Sequence, residues 1–124
     1  MLIPMALPAG WHTLTTRIVT DDVAGLIEFL RRVFAATGEA PADRPAVLHI
    51  GDSLLMISSV GPRPATAAFL YVYLDDADAA YRRAVDAGAR SLEAPVDTPY
   101  GDRRAMVEDR WGNVWQIATF RPPA

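Results

Sequence analysis

The first third of the chain shows two patterns of apolar residues in succession. Residues 12–20 alternate between apolar and polar positions, which predicts a strand with Ile18 on one face and Arg17 on the other. Apolar residues then recur every three or four positions through about Thr37. This spacing predicts an amphipathic helix that begins after a pair of aspartates and is ended by Gly38.

The rest of the chain repeats this order. The remaining predicted elements are strands over residues 46–50, 53–59 and 67–74, a helix from residue 77 up to Gly88, a loop bracketed by Pro95 and Pro99, and a closing hairpin with strands 102–108 and 114–120. Residues 17–27 and 71–81 share a strand-Asp-Asp-helix pattern, 54 residues apart. We infer an internal duplication within one domain, with halves of about residues 12–60 and 67–120.

The composition narrows the classes of function. The chain has 124 residues, 51% hydrophobic and 22% charged, as in an ordinary globular domain of a size at which dimerisation often helps to cover apolar surface. A net charge of -3 argues against nucleic-acid binding. Without cysteine the chain has no disulfide, thiolate metal site or cysteine nucleophile, which fits a cytoplasmic protein. Residues 1–10 are apolar but carry two prolines and no basic segment, so we interpret them as a loose arm rather than an export signal or membrane span.

A set of short motifs covers nearly the whole chain. They are Thr20-Asp21-Asp22 with Glu28-Phe29-Leu30, Ile50-Gly51-Asp52-Ser53, Leu74-Asp75-Asp76 with Ala87-Gly88-Ala89, and Tyr100-Gly101-Asp102-Arg103 with Asp109-Arg110-Trp111-Gly112-Asn113-Val114-Trp115. Together they resemble the vicinal oxygen chelate superfamily, which includes glyoxalase I, extradiol dioxygenases and bleomycin-resistance proteins. The resemblance implies an α+β fold of two βαβββ modules, with curved mixed sheets around a cavity, helices packed outside, and a homodimer.

The resemblance also implies where a metal would bind. In the metal enzymes of this superfamily, four strands facing the cavity each supply a ligand, usually His, Gln or Glu. Those positions fall here at Thr15, near Met56, near Phe69 and at Gln116. Only Gln116 offers a suitable donor, because methionine and phenylalanine lack the oxygen or imidazole that such cations prefer. We therefore expect neither a metal nor another cofactor.

Alternation along the predicted strands suggests a ligand site instead. Phe69, Tyr71 and Tyr73 share one parity, which makes them either a stacking wall whose hydroxyls donate to a planar ligand or plain core packing. Arg17 is expected to face the same cavity. We favour a salt bridge from Arg17 to Asp102, Glu108 or Asp109 over a ligand held by its guanidinium group.

Other polar residues have competing interpretations. Tyr100, Asp102, Arg103 and Arg104 lie at the start of a predicted strand, at a cavity mouth or on an ion-paired edge. Alternation does not decide which arginine points inward. Trp111, in the turn, suggests a pocket rim or a dimer contact. His49 is a candidate general base or simply a half-buried strand residue. The candidate ligand-binding residues are Thr15, Arg17, His49, Met56, Phe69, Tyr71, Tyr73, Tyr100, Arg104, Trp111 and Gln116.

The leading hypothesis is a metal-free protein that binds a small aromatic or amphiphilic molecule, as bleomycin-resistance proteins sequester drugs. One alternative is an enzyme: a lyase or isomerase of the glyoxalase type, or an acid-base catalyst that uses His49 or a tyrosine. Another is a dimeric protein whose cavity is vestigial. The chain has no phosphate-binding glycine loop, no nucleophile elbow and no HExxH pattern.

Overall fold

The computed structural model of the protein describes residues 6–122, so residues 1–5 of the expected arm lie outside it. Its elements in chain order are β1 Thr16–Thr20, α1 Val23–Phe34, β2 Thr37–Glu39, β3 Ala46–Ile50, β4 Ser53–Ser59, β5 Phe69–Tyr73, α2 Ala77–Asp86, β6 Arg90–Asp97, β7 Asp102–Glu108 and β8 Val114–Phe120. The α+β class and the two βαβββ modules are confirmed. Neither of these helices is long and apolar enough to cross a membrane.

Each module forms its own four-stranded mixed sheet. The strand order is β1-β4-β3-β2 in the first sheet and β5-β8-β7-β6 in the second. The first and last strands of each module run parallel, with Arg17 opposite Met56 in one sheet and Tyr71 opposite Gln116 in the other. The two modules therefore have the same topology.

The two helices begin in the same way. Asp22 accepts a hydrogen bond from the backbone N–H of Gly25 at 3.1 Å, and Asp76 accepts one from Ala79 at 3.0 Å. Each carboxylate thus satisfies one of the free N–H groups at a helix start. In each predicted aspartate pair, the second aspartate is the cap.

The predicted end of the first helix was wrong. α1 ends at Phe34, and Ala35 follows in the left-handed region with φ 54°. Gly38 lies in β2 with φ 128°, where an added Cβ would come within 2.2 Å of the Val47 carbonyl oxygen. Gly38 is therefore needed for the close approach of β2 to β3, not to stop the helix.

Two strands were missed in the sequence. β2 has only three residues, all exposed, so it carries no apolar alternation. β6 contains Pro95, and its pairing with β7 shifts register between Ser91 and Glu93 and again between Glu93 and Val96. Most residues of β6 are exposed, so they do not show the alternation of apolar and polar residues that indicates a strand. The prediction of a loop from Pro95 onwards was therefore wrong for residues 95–97.

The core lies between the helices and the inner faces of the sheets. Phe34 of α1 packs against Trp115 of β8 with ring centroids 5.0 Å apart, and Trp115 is 1% exposed, as predicted for a core residue. Arg83 of α2 donates two hydrogen bonds to the Val33 carbonyl oxygen. The two modules are thus joined through their helices. The spacing of apolar residues along α2 predicts that Val85 is buried, but this prediction was wrong, because Val85 is 39% exposed.

The turn between β7 and β8 is organised by one buried carboxylate. Asp109 is 4% exposed and accepts four N–H groups, from the backbones of Trp111 and Asn113, the Asn113 amide and the Trp115 indole. Glycine and asparagine adopt a positive φ at little cost, so the sequence predicts this conformation at Gly112 and Asn113. Gly112 adopts it, with a φ of 87°. Asn113 does not, because its side chain is used for hydrogen bonds to Asp109 and to the Ala68 N–H.

A candidate ligand-binding face

The outer face of the second sheet exposes a group of aromatic rings. We name it the tyrosine face; it comprises Phe69, Tyr71, Tyr73, Tyr100, Asp102, Arg104 and Gln116. Phe69 is 68% exposed, Tyr73 60% and Tyr71 39%. The shared parity of these three rings is confirmed, and their exposure shows that they are not core residues.

A buried aspartate holds two of the rings in place. Asp102, at the start of β7, is 3% exposed, and its Oδ2 atom accepts the hydroxyls of Tyr71 at 2.5 Å and Tyr73 at 2.9 Å. The backbone N–H of Asp102 donates to the Thr98 hydroxyl oxygen at 2.9 Å. The two rings lie 5.3 Å apart, tilted by 54°. The orientation of both rings is therefore fixed by their bonds to Asp102.

Asp102 was not among the candidate site residues. Sequence reasoning considered it only as an ion-pair partner for Arg17 and as part of the strand start near Tyr100. Its position directly across the ladder from Phe120 puts it on the outer face. The pairing of β7 with β8 in the predicted hairpin could have revealed this position, because it puts Asp102 on the same face as Gln116.

The environment of the two tyrosines keeps them protonated. Burial and the hydrogen bond to Asp102 raise the pKa of Tyr71 well above its ordinary value of 10.0. The hydrogen bond to Asp102, followed by desolvation, raises the pKa of Tyr73. Both shifts make the hydroxyls weaker acids near neutral pH, which counts against the alternative of a tyrosine acid-base catalyst.

Arg104, rather than Arg103, lies on the tyrosine face. Its guanidinium group donates to both carboxylate oxygens of Glu93, at 2.9 and 3.2 Å, and to the Tyr100 hydroxyl at 2.7 Å. Its hydrogen bond to Glu93 raises the pKa of Arg104 further. Arg103 points to the opposite side and binds Asp78 of α2 at 3.0 and 3.1 Å. The expectation of an ion-paired edge is met at both arginines.

The expected salt bridge of Arg17 was wrong. Arg17 Nε donates to the Ser58 hydroxyl at 2.8 Å, and Arg17 forms no ion pair within residues 6–122. The three proposed partners belong to the second module and are already bonded. Asp102 binds the tyrosines, Glu108 binds Arg90 at 2.5 Å, and Asp109 binds the turn.

A cleft lies beside the tyrosine face where the two modules meet. Its volume is about 390 Å³, and its lining includes Leu54, Leu70, Trp115, Tyr71 and Tyr73. The two tyrosines therefore belong both to the cleft and to the face. This volume falls within the range of small-molecule sites. The cavity enclosed by two curved sheets that the resemblance implies is not shown.

Comparison with known proteins is in agreement with this architecture. The model of the Glyoxalase/Bleomycin resistance protein/Dioxygenase superfamily matches residues 12–117 of the chain. The chain belongs to this superfamily. An uncharacterised protein of Mycobacterium bovis is 27% identical over 84% of this chain and 80% of its own length.

Two further similar proteins are a named curated relative and a protein of known structure. The anthracycline biosynthesis protein DauV of Streptomyces sp. strain C5 is 35% identical over 90% of this chain, which spans 41% of that protein. The crystal structure of TioX from Micromonospora sp. ML1 matches with a TM-score of 0.74 and 25% identity, covering 86% of this chain and 97% of that chain.

The metal positions implied by this superfamily do not fit a metal here. Met56 lies on the first sheet opposite Arg17, whereas Phe69 and Gln116 lie on the second, and Thr15 precedes β1. No cluster of three or more His, Asp or Glu side chains that could hold a metal occurs in the described part of the chain. A thioether and a phenyl ring beside one carboxamide are poor ligands for a divalent cation.

Two remaining candidates lie elsewhere. Trp111 donates its indole N–H to Asp22 at 3.0 Å and packs edge-on against Phe29 of α1, with centroids 5.9 Å apart, so it links the modules. His49 is an exposed residue of β3, opposite Leu54 in the first sheet. The structure thus brings together Phe69, Tyr71, Tyr73, Tyr100, Arg104 and Gln116, but not Thr15, Arg17, His49, Met56 or Trp111.

Proposed function

We propose that this protein binds a small planar aromatic or amphiphilic molecule on the tyrosine face and sequesters it without chemical conversion. One observation carries the proposal: four aromatic rings, Phe69, Tyr71, Tyr73 and Tyr100, are exposed on one side of one sheet, beside a cleft of about 390 Å³. Such a concentration of exposed rings is unusual on a folded surface and typical of a recognition site.

The arrangement suits stacking of a planar molecule. Tyr71 and Tyr73 are oriented by Asp102, so few side-chain rotations need to be frozen when a ligand binds. Phe69, two residues before Tyr71 on β5, lies on the same side of the strand and extends the apolar surface. The face therefore offers a large contact area at a low entropic cost.

The relatives support an aromatic ligand. DauV is named for anthracycline biosynthesis, and anthracyclines are planar polycyclic aromatic compounds. A binding protein of this superfamily that holds such a compound needs affinity for it and no catalytic group. We therefore assign sequestration of an aromatic compound, with a role in antibiotic resistance, to this chain as a proposal.

We propose further that the protein acts as a homodimer in the cytoplasm. Leu14, just before β1, is 86% exposed, and Val60, just after β4, is 45% exposed, so the first module leaves apolar side chains open that do not belong to the tyrosine face. Covering such apolar groups with a second copy would be favourable at roughly 25 cal/mol per Å². Light scattering after size exclusion should give twice the mass of the chain; the mass of one chain at all concentrations would contradict the dimer.

The binding proposal is tested with a panel of planar polycyclic aromatic compounds, anthracyclines among them, in a thermal melting assay. We expect members of the panel to raise the melting temperature, and Tyr71→Ala to abolish that rise. Arg17→Ala, at the equivalent position of the first sheet, should leave it intact. No stabilisation by any compound would contradict the proposal, and strong stabilisation by nickel, zinc or manganese would favour the glyoxalase-type enzyme instead.

A further inference from the structure

Both tyrosine hydroxyls of the tyrosine face donate their hydrogens to a single carboxylate oxygen. Tyr71 and Tyr73 reach the same Oδ2 atom of Asp102, at 2.5 and 2.9 Å. A neutral phenol has one hydrogen to donate, so each hydroxyl leaves oxygen lone pairs for a ligand. The hydroxyl hydrogens that were expected to be donated to a ligand are donated to Asp102, and each hydroxyl oxygen is left with acceptor positions.

No arginine neutralises the carboxylate beneath them. Asp102 forms no ion pair among the described residues 6–122. Arg104, on the same face, is held by Glu93 and Tyr100, and Arg103 lies on the opposite side with Asp78. Among the other charged groups of this region, Arg90 is paired with Glu108 and Asp97 with Arg103, and Arg121 lines a surface hollow with Asp102 without pairing to it.

The rings add a second source of attraction for a cation. Tyr71 and Tyr73 are both exposed, with their ring centroids 5.3 Å apart. The face of an aromatic ring is negative and attracts a cation within about 6 Å. A buried carboxylate is screened less by salt than an exposed one, so the charge of Asp102 acts in the same direction.

We propose, on the basis of the binding function above, that the ligand carries a protonated amine. The amine donates to the hydroxyl oxygens of Tyr71 and Tyr73, beside Asp102, while the aromatic part of the ligand stacks along β5. Gln116, directly across the ladder from Tyr71, has a carboxamide that matches either a donor or an acceptor on the ligand. The class of ligand is therefore an aromatic amine rather than an aromatic acid.

Three probes with one ring system test this inference: naphthylmethylamine, naphthylmethanol and naphthoate, which are a cation, a neutral molecule and an anion near neutral pH. Dissociation constants are measured by NMR titration of the intact protein. We expect the amine to bind about ten-fold more tightly than the alcohol, as for a charge-assisted hydrogen bond. The carboxylate should bind most weakly.

Variants locate the origin of this preference. Asp102→Asn should bring the amine and the alcohol to within about two-fold of each other, because the charge is removed. Asp97→Asn removes the same charge from the same sheet, at a side chain that is 75% exposed and paired with Arg103 on the other side, and should preserve the preference. Tyr73→Phe keeps the ring and the Tyr71–Asp102 bond, so it provides a milder test: part of the preference should be lost.

The outcomes separate this inference from the function on which it rests. Equal binding of the amine and the alcohol to the wild-type protein, or an equal loss of preference in Asp97→Asn and Asp102→Asn, would overturn the amine while leaving aromatic binding in place. Failure of all three probes to bind would overturn both.

Discussion

The two sheets of this protein share a topology but differ on their outer faces. Arg17 and Tyr71 occupy equivalent positions, each on the first strand of a module and each opposite a residue of the last strand. The side chain of Arg17 donates to Ser58, whereas Tyr71 joins Tyr73 on a buried aspartate. The two modules thus share one framework, while their exposed surfaces differ.

The inner faces explain why the framework is the same. Ile18 lies opposite Ile57 in the first sheet, and Val72 lies opposite Ile117 in the second. Ile18, Ile57 and Ile117 are at most 1% exposed. Burial against a helix requires apolar side chains in both modules, while the outer face carries no such requirement. The features specific to this protein therefore lie on the outer faces, where the two modules differ.

The largest effect we expect concerns the last turns of the two modules. In Asp109→Ala, the Trp115 indole, the Asn113 amide and two backbone N–H groups lose their acceptor. Unsatisfied buried donors cost about 1–3 kcal/mol each, so the free energy of unfolding should fall by about 3 kcal/mol or more. Urea denaturation measures this difference.

The matched control is Asp52→Ala in the corresponding turn of the first module. Asp52 is exposed, and within residues 6–122 its carboxylate accepts one hydrogen bond, from the adjacent Ser53 hydroxyl. Its loss should change the free energy of unfolding by no more than about 0.5 kcal/mol. An equal fall in the free energy of unfolding of the two variants would contradict the prediction, because it would show that the two turns contribute equally to stability.

A smaller effect is expected at alkaline pH. The pKa values of Tyr71 and Tyr73 are raised in the folded protein, so the stability that these groups contribute is fully present below about pH 10. It is lost as the pH rises through their folded pKa values, because the unfolded chain releases these protons first. The chain contains neither lysine nor cysteine, so tyrosine is the side-chain type whose ordinary pKa lies closest to this range.

Urea denaturation at a series of pH values checks this loss. The free energy of unfolding of the wild-type protein should decline above about pH 10. The double variant Tyr71→Phe, Tyr73→Phe should show a shallower decline, while Tyr81→Phe, which removes a hydroxyl bonded to Ser91 outside the face, should decline as the wild type does. An unchanged decline in the double variant would refute the linkage to Asp102.

Much of the fold could be predicted because its signals are local. The strands 46–50, 53–59, 102–108 and 114–120 were predicted with their observed bounds. β2 and β6 were missed because exposed or bulged edge strands carry no period. The four-stranded modules that include β2 and β6 were instead implied by the motifs that resemble the superfamily.

The candidate site was only partly predictable. Parity placed Phe69, Tyr71 and Tyr73 together, since it depends on a single strand. The roles of Asp102 and Arg17 depend on which strands become neighbours, and that is set by packing between elements distant in the sequence. A pattern read along one strand could not show that Asp102 meets two tyrosines rather than Arg17.

The most direct test of the central claim is an NMR titration with naphthylmethylamine on protein labelled at its methionine methyl groups and tyrosine rings. Met106 lies opposite Gln116 on the second sheet, and Met56 lies opposite Arg17 on the first, so each outer face carries a reporter. We predict that Tyr71, Tyr73 and Met106 shift with one dissociation constant while Met56 stays in place. Shifts at Met56 with Tyr71 and Tyr73 unmoved would contradict the account.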